Sequence, residues 1–311
     1  MHTGRAAVHA APMSTQLGRF TDAEAESRFH ALYDTAMALL PPPAGTDDVP
    51  TAFGTVRVYR FGTATGPPLV LLPGRGGTTA LWLPNLAAWT LRRTVYAVEP
   101  LGDAGPSRQD RPIRTADDQA SWLGELLGTL DTGPAHLVGQ SVGAWLATQV
   151  ALRAPERAAS LSLIEPTQVL GRIRPGLVVA GLLTIPGLPE PLRRRALRWI
   201  VGTGDELFDG PIGRLTVAAA GGFRNVTPPP ALPSDEQLRG LRVPVLALLG
   251  GRSRTHDARR SARRARELLP DLRVAIVDGA GHALNGEFPD VVNERVLDFT
   301  DAIDRTAPGP G

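Results

Sequence analysis

Cysteine and lysine are both absent from the 311 residues of this chain. Without cysteine there is no disulfide, no thiol nucleophile and no thiolate metal site. Without lysine, all 33 basic residues are arginine, and chemistry that needs a Schiff-base or phosphate-loop lysine is excluded. An excess of charge is missing too: 33 basic residues against 31 acidic ones leave a net charge of +2. The arginine runs Arg193-Arg194-Arg195 and Arg259-Arg260 have acidic residues interspersed nearby and read as solvated helix faces, not as a nucleic-acid surface. Long apolar runs are lacking as well. The strongest, "GLVVAGLLTIPGL" (176–188), is too short to span a bilayer and contains Pro186. The first twenty residues lack the continuous apolar core of a signal peptide. The expectation is a cytoplasmic globular protein, with no metal or cofactor, no nucleic-acid partner and no membrane partner. A hydrophobic content of 42% is enough to fill a sizeable core.

What is present alternates. "PLVLL" (68–72), "TVYAV" (94–98), "AHLVG" (135–139), "SLSLI" (160–164), "VPVLALLG" (243–250) and "RVAIV" (273–277) read as strands. Helical patterns lie between them, over 115–130, 142–152, 257–269 and 289–303. Short apolar runs alternating with helices predict an α/β fold, a doubly wound, mostly parallel sheet covered on both faces. "TVRVYRF" (55–61) alternates like an edge hairpin strand, and Thr21 with Glu24 suggests a capping box for a helix reaching Leu40. Residues 167–238 break the rhythm with helix-like pieces divided by Pro and Gly, and read as a helical lid inserted over one end of the sheet. The expected organisation is a disordered lead-in over 1–20, core over 21–166, lid over 167–238, core again over 239–305 and a flexible tail over 306–311.

The chemistry concentrates in "HLVGQSVGAWLA" (136–147), where Ser141 stands between Gly139 and Gly143 at a strand-to-helix turn. A G-x-S-x-G elbow is sharp, admits only small residues around the serine and presents its hydroxyl at a helix N-terminus. Serine is also a common helix cap, so the motif needs a base and an oxyanion loop in support. The loop Pro73-Gly74-Arg75-Gly76-Gly77 follows a strand and suits backbone N–H donors. The same loop, with Glu99 after the next strand, is also compatible with a dinucleotide site, but Thr79 occupies the third glycine position and Ser141 is then unexplained. Among six histidines, His2 and His9 lie in the lead-in, His30 is helical and His136 sits inside a strand. His256 begins a helix beside Asp257 and reads as a bystander. His282, in "GAGHALNGEFP", occupies a Gly-rich loop after the last strand, where parallel sheets place working residues.

These segments together resemble the α/β-hydrolase superfamily from about Thr51 to Ala302. "LLPGRGG" resembles its oxyanion loop, "LVGQSVGAW" its nucleophile elbow, "PVLALLGG" the strand that leads to its usual acid, and "GAGHALNGEFPD" its histidine loop. The helix ahead of the sheet is similar to that of a bacterial subgroup of uncharacterised hydrolases. Two positions depart from the pattern. Pro73 replaces the usual histidine of the oxyanion motif, and Ser253 stands where the acid is expected. Glu165, closing "SLSLI", is the preferred carboxylate, because some family members carry the acid after that strand. Asp257, four residues past Ser253, is the alternative.

The resemblance implies a serine hydrolase. Ser141 attacks, His282 is general base, Glu165 orients it, and the N–H groups of Arg75 and Val142 hold the oxyanion. The bond cleaved is an ester, thioester or lactone in a small, hydrophobic acyl substrate, with Trp82 and Trp145 near the catalytic loops as candidate pocket residues. An acyltransferase or cyclase using the same acyl-enzyme, and a non-catalytic ligand-binding version of the fold, are the alternatives.

Overall fold

The computed structural model describes residues 16–130 and 132–306. Eleven strands are found among them. β1 (Arg19–Phe20), β2 (Gly45–Thr51), β3 (Gly54–Phe61), β4 (Leu69–Leu72), β5 (Val95–Val98) and β6 (Arg108–Gln109) come first. β7 (Ala135–Gln140), β8 (Ala158–Ile164), β9 (Phe223–Arg224), β10 (Val245–Gly250) and β11 (Leu272–Val277) follow. The central sheet runs β11-β10-β8-β7-β4-β5-β3-β2, with β6 beside β3. From β5 to β11 all pairs are parallel, and β3 joins β5 and β2 antiparallel, so the sheet is mixed.

Side-chain alternation builds two cores from one sheet. In β4, Val70 and Leu72 face one apolar cluster, while Leu69 and Leu71 face the other. Helices Ala116–Thr129, Val142–Arg153 and Ala258–Leu268 cover the first cluster. Helices Leu83–Thr90 and Pro289–Thr306 cover the second. Coverage on both faces explains why β4 and β10 are uninterrupted apolar runs.

Three differences from the sequence reading concern the edges. β2, "GTDDVPT", has only Val49 buried, so it carries no alternation to read. The first helix spans Ala23–Met37 and is capped by Asp22, whose Oδ1 accepts from the Ala25 N–H at 2.8 Å, not by Thr21. Residues 19–20, expected to be disordered, form β1 and pair antiparallel with β9. Residues 1–15 of the expected lead-in and 307–311 of the expected tail lie outside the described residues.

The last helix is tied to the sheet through buried charge. Arg93 bonds Asp301 at 2.6 Å and also Asp304. Asp304 in turn meets His136 Nε2 at 3.1 Å, and His136 Nδ1 meets Ser160 Oγ at 2.8 Å. Burial lowers the His136 pKa from 6.5 to about 4, against the pull of Asp304. In the unfolded chain this imidazole takes up a proton below pH 6.5, while in the folded chain it stays neutral. Stability therefore falls as pH drops from 6.5 towards 4, by about 3 kcal/mol from this group. Guanidinium unfolding across that range measures the slope. His136→Gln should flatten it, and an unchanged slope in that variant would assign the loss elsewhere.

Candidate active site

The carboxyl ends of the parallel strands carry the candidate chemistry. β7 ends in Gln140, and Ser141 turns the chain into helix Val142–Arg153 with φ 55° and ψ −115°. A non-glycine residue rarely adopts positive φ, so the turn stores strain. The flanking glycines are steric necessities. A Cβ on Gly143 would lie 2.0 Å from the Leu72 carbonyl oxygen, and one on Gly139 would lie 2.5 Å from the backbone of Ala144. Only Glu165 and Gln168 share a positive φ among the other described non-glycine residues, and both flank the same site.

The structure brings Ser141, His282 and Glu165 together from three loops. His282 Nε2 lies 2.9 Å from Ser141 Oγ, and His282 Nδ1 lies 3.1 Å from Glu165 Oε2. A proton on Nδ1, donated to the carboxylate, leaves Nε2 free to accept from the serine hydroxyl. Gln140 fixes the loop by donating from Nε2 to the His282 carbonyl at 3.1 Å. Glu165 is fully buried. Burial pushes its pKa up, but the hydrogen bond from His282, the neighbouring His256 and His282 imidazoles and the Gly250 N–H hold it below the ordinary carboxylate value. An ionised carboxylate at this point can stabilise an imidazolium, and an imidazole this close to a serine can remove its proton.

Asp257, the alternative acid, is not brought to the site. It is exposed and caps helix Ala258–Leu268, accepting from the Arg260 N–H at 3.0 Å. Glu99 is equally unavailable to a dinucleotide: it is buried and accepts from the Tyr33 hydroxyl at 2.8 Å and the Thr79 N–H at 3.0 Å.

A model of the alpha/beta hydrolase family matches residues 69–295. The chain belongs to this family. It is a hydrolase with the α/β-hydrolase fold. The carboxylesterase YbfK of Bacillus subtilis is 31% identical over 290 residues, covering 90% of this chain and 96% of that protein. The uncharacterized carboxylesterase nap of the same species is 30% identical, covering 88% and 93%. The crystal structure of carboxylesterase CesB (YbfK) superposes with a TM-score of 0.83 at 29% identity, over 89% of this chain and 99% of that one.

In this hydrolase the loop after β4 packs tightly on the elbow. A Cβ on Gly74 would fall 2.4 Å from Gln140 Oε1 and 3.1 Å from Ser141 Cβ, so glycine lets the loop backbone reach the serine. Arg75 follows, with its side chain turned outwards to Asn225 and Thr227. Arg75 and Val142 line one narrow cleft, together with Leu101, Trp145, Leu146 and Pro230. Trp145 donates from Nε1 to the Ala231 carbonyl at 2.8 Å. Trp82 is a correction: it is fully buried, its ring 5.7 Å from that of Trp89 in the core, and it cannot line a pocket. A larger cavity of about 350 Å³ lies beside β1 and the loop 102–109, and Ser141, His282 and Glu165 line neither it nor the narrow cleft.

Residues between β8 and β10 form helices Pro175–Leu182, Glu190–Val201, Asp205–Asp209, Pro211–Gly222 and Asp235–Arg239. They touch each loop of the site. The His282 N–H donates to the Val201 carbonyl at 3.0 Å, and the Arg174 N–H to the Thr255 carbonyl at 2.9 Å. Ala219 Cβ is within 3.6 Å of the Cβ position of Gly76.

Three side chains at the site escaped the sequence reading. Thr167 Oγ1 lies 3.0 Å from Ser141 Oγ, and its N–H donates to the Ser141 carbonyl at 3.2 Å. Thr255 and His256 sit buried behind the acid. His256, read as a bystander, places Nε2 3.6 Å from Glu165 Oε1. The available signal was its position shortly after Gly250, in the loop that normally carries the acid. A histidine next to an aspartate that only caps a helix drew attention to the wrong neighbour.

Proposed function

We propose that this hydrolase cleaves a carboxylic ester through an acyl-Ser141 intermediate. The observation that carries the reading is the unbroken contact from Ser141 Oγ to His282 Nε2 and from His282 Nδ1 to Glu165 Oε2. His282 takes the serine proton as Oγ attacks the ester carbonyl, then returns it to the departing alcohol. Water, deprotonated by the same imidazole, breaks the acyl-enzyme and releases the acid. The N–H groups of Arg75 and Val142 are the proposed oxyanion donors, since Val142 follows Ser141 at the helix N-terminus and Arg75 follows Gly74, whose Cβ position is 3.1 Å from Ser141 Cβ. The helix N-terminus behind Ser141 favours the same negative charge.

The acyl group is hydrophobic. Leu101, Trp145, Leu146 and Pro230, which line the cleft next to Val142 together with Arg75, Asp103 and Gln119, are the candidate apolar contacts. The helical segment between β8 and β10 acts as a lid, because its backbone is hydrogen-bonded to the histidine loop and to Thr255. The similarity to carboxylesterases supports an ester as the bond cleaved.

A fluorophosphonate should add once to the protein, at Ser141, as read by intact mass and peptide mapping. Hydrolysis of p-nitrophenyl esters should then be lost in proportion to labelling, and a series of graded acyl length should favour chains longer than acetyl. Absence of an adduct, or an equal adduct on Ser141→Ala, would sink the mechanism.

A further inference from the structure

We propose that His256 is a positioning residue for Glu165: a second imidazole that holds the far carboxylate oxygen while His282 takes the near one. This rests on the Ser141–His282–Glu165 reading above. The three groups come from separate loops, after β8, after β10 and after β11, and they meet out of water. His256 is 2% exposed and Glu165 is fully buried.

One orientation of the hydroxyls next to His256 puts its proton on Nε2. Ser253 Oγ lies 2.9 Å from Thr255 Oγ1, and Thr255 Oγ1 lies 3.1 Å from His256 Nδ1. Let the Ser253 hydroxyl donate to Thr255, and the Thr255 hydroxyl donate to His256 Nδ1. His256 must then carry its proton on Nε2. That nitrogen has no hydrogen-bond partner among the described residues, and the carboxylate oxygen Oε1 of Glu165 is 3.6 Å away. A buried donor without an acceptor is costly, and Glu165 is the anion within reach. The gap is wider than a formed hydrogen bond. It closes with a shift of a few tenths of an ångström, and such contacts tighten as charge develops during reaction.

In that orientation each proton points at an acceptor. His256 and His282 donate to the two oxygens of one carboxylate, and Gly250 N–H reinforces the His256 side. Thr255 Oγ1 also comes within 3.4 Å of His282 Nδ1, so one hydroxyl touches both rings. The position usually occupied by the acid, Ser253, thus carries the first hydroxyl of the pair that orients His256.

His256 works in its neutral form. Burial lowers its affinity for a proton, His282 and Arg174 oppose a further positive charge, and Glu165 and Asp257 pull the other way without prevailing. Those four are the charged groups around the ring, and Arg174 and Asp257 lie 3.9 Å apart towards the surface. A protonated His256 would place two cations on one carboxylate just when His282 must become an imidazolium.

The test compares kcat/KM against pH for p-nitrophenyl butyrate across wild type, Glu165→Gln, His256→Phe, His256→Gln and Thr255→Val. His256→Phe keeps the ring volume and removes the donor. It should lower kcat about 10- to 100-fold, the scale of a lost hydrogen bond to a charged group. Its acidic limb should move to higher pH, because a carboxylate that loses a donor is more basic and holds the His282 proton more strongly. His256→Gln can present an amide N–H to the same oxygen, so it should recover most of the rate and return the limb. Thr255→Val should shift the limb in the direction of His256→Phe. Equal losses in the Phe and Gln variants with an unmoved limb would mean that His256 only packs, and would overturn the inference. If His256→Phe fails to fold by circular dichroism, Thr255→Val decides: an unchanged rate and limb there overturn it equally. Should Glu165→Gln itself prove harmless, the triad reading fails first.

Discussion

Ser141→Ala should reduce kcat on an activated ester by about 10⁶-fold, the scale seen when a serine nucleophile that acts with its histidine is removed. Adding His282→Ala should then make little further difference. The reason is geometric. The two side chains meet at 2.9 Å and share one proton, so deleting either ends the same step. Residual turnover in both variants would come from the oxyanion donors and the cleft, which neither change touches. The fold should survive both changes: among the described residues the hydrogen-bond partners of Ser141 Oγ are His282 and Thr167, and alanine meets the same positive φ without adding bulk. Steady-state kinetics with a fluorophosphonate titration of active sites measures the result. Losses that multiply independently would show that the two residues do not act as a unit.

Glu165→Gln should cost up to ~10⁴-fold in kcat, the magnitude known for removing the carboxylate of a serine–histidine pair. The amide keeps the shape but can present N–H to His282 Nδ1, which forces the proton to Nε2 and blocks its role as acceptor. The change also removes the buried carboxylate that His282 Nδ1 contacts. Asp257→Asn should cost little, because that carboxylate caps a helix at the surface. The combination of Ser253→Asp with Glu165→Gln is more demanding. Ser253 is buried and its Oγ is linked through Thr255 Oγ1 to His282 Nδ1, by contacts of 2.9 and 3.4 Å. A carboxylate there should restore part of the rate. A crippling Asp257→Asn beside a harmless Glu165→Gln would reverse the assignment of the acid.

The central architecture was legible because burial on both faces leaves a plain signature. β4 and β10 are apolar from end to end, and the glycines of the elbow are dictated by contacts under 3 Å. The edges were illegible for the converse reason. β2 buries one side chain of seven, and β1 and β9 are two residues long and pair across more than two hundred positions. Side-chain destinations were harder still. Trp82 and Trp145 look alike in sequence near catalytic loops, yet one ring packs tilted against Trp89 in the core and the other borders the cleft. His256 and Asp257 are adjacent, but the first turns inwards to Glu165 and the second outwards to a helix N-terminus. Nothing in local periodicity distinguishes two neighbours at the start of a helix.

The pairing of β1 with β9 makes the two ends of this protein unequal as points of attachment. β1 is stitched to β9, in the segment between β8 and β10. The last helix instead meets the opening of β7 through Asp304 and His136, at the far rim of the sheet from Ser141. A surface, resin or fusion partner joined after the last helix would hold the enzyme with its mouth facing outwards. The same tether ahead of β1 would pull on the segment whose Val201 carbonyl accepts from the His282 N–H.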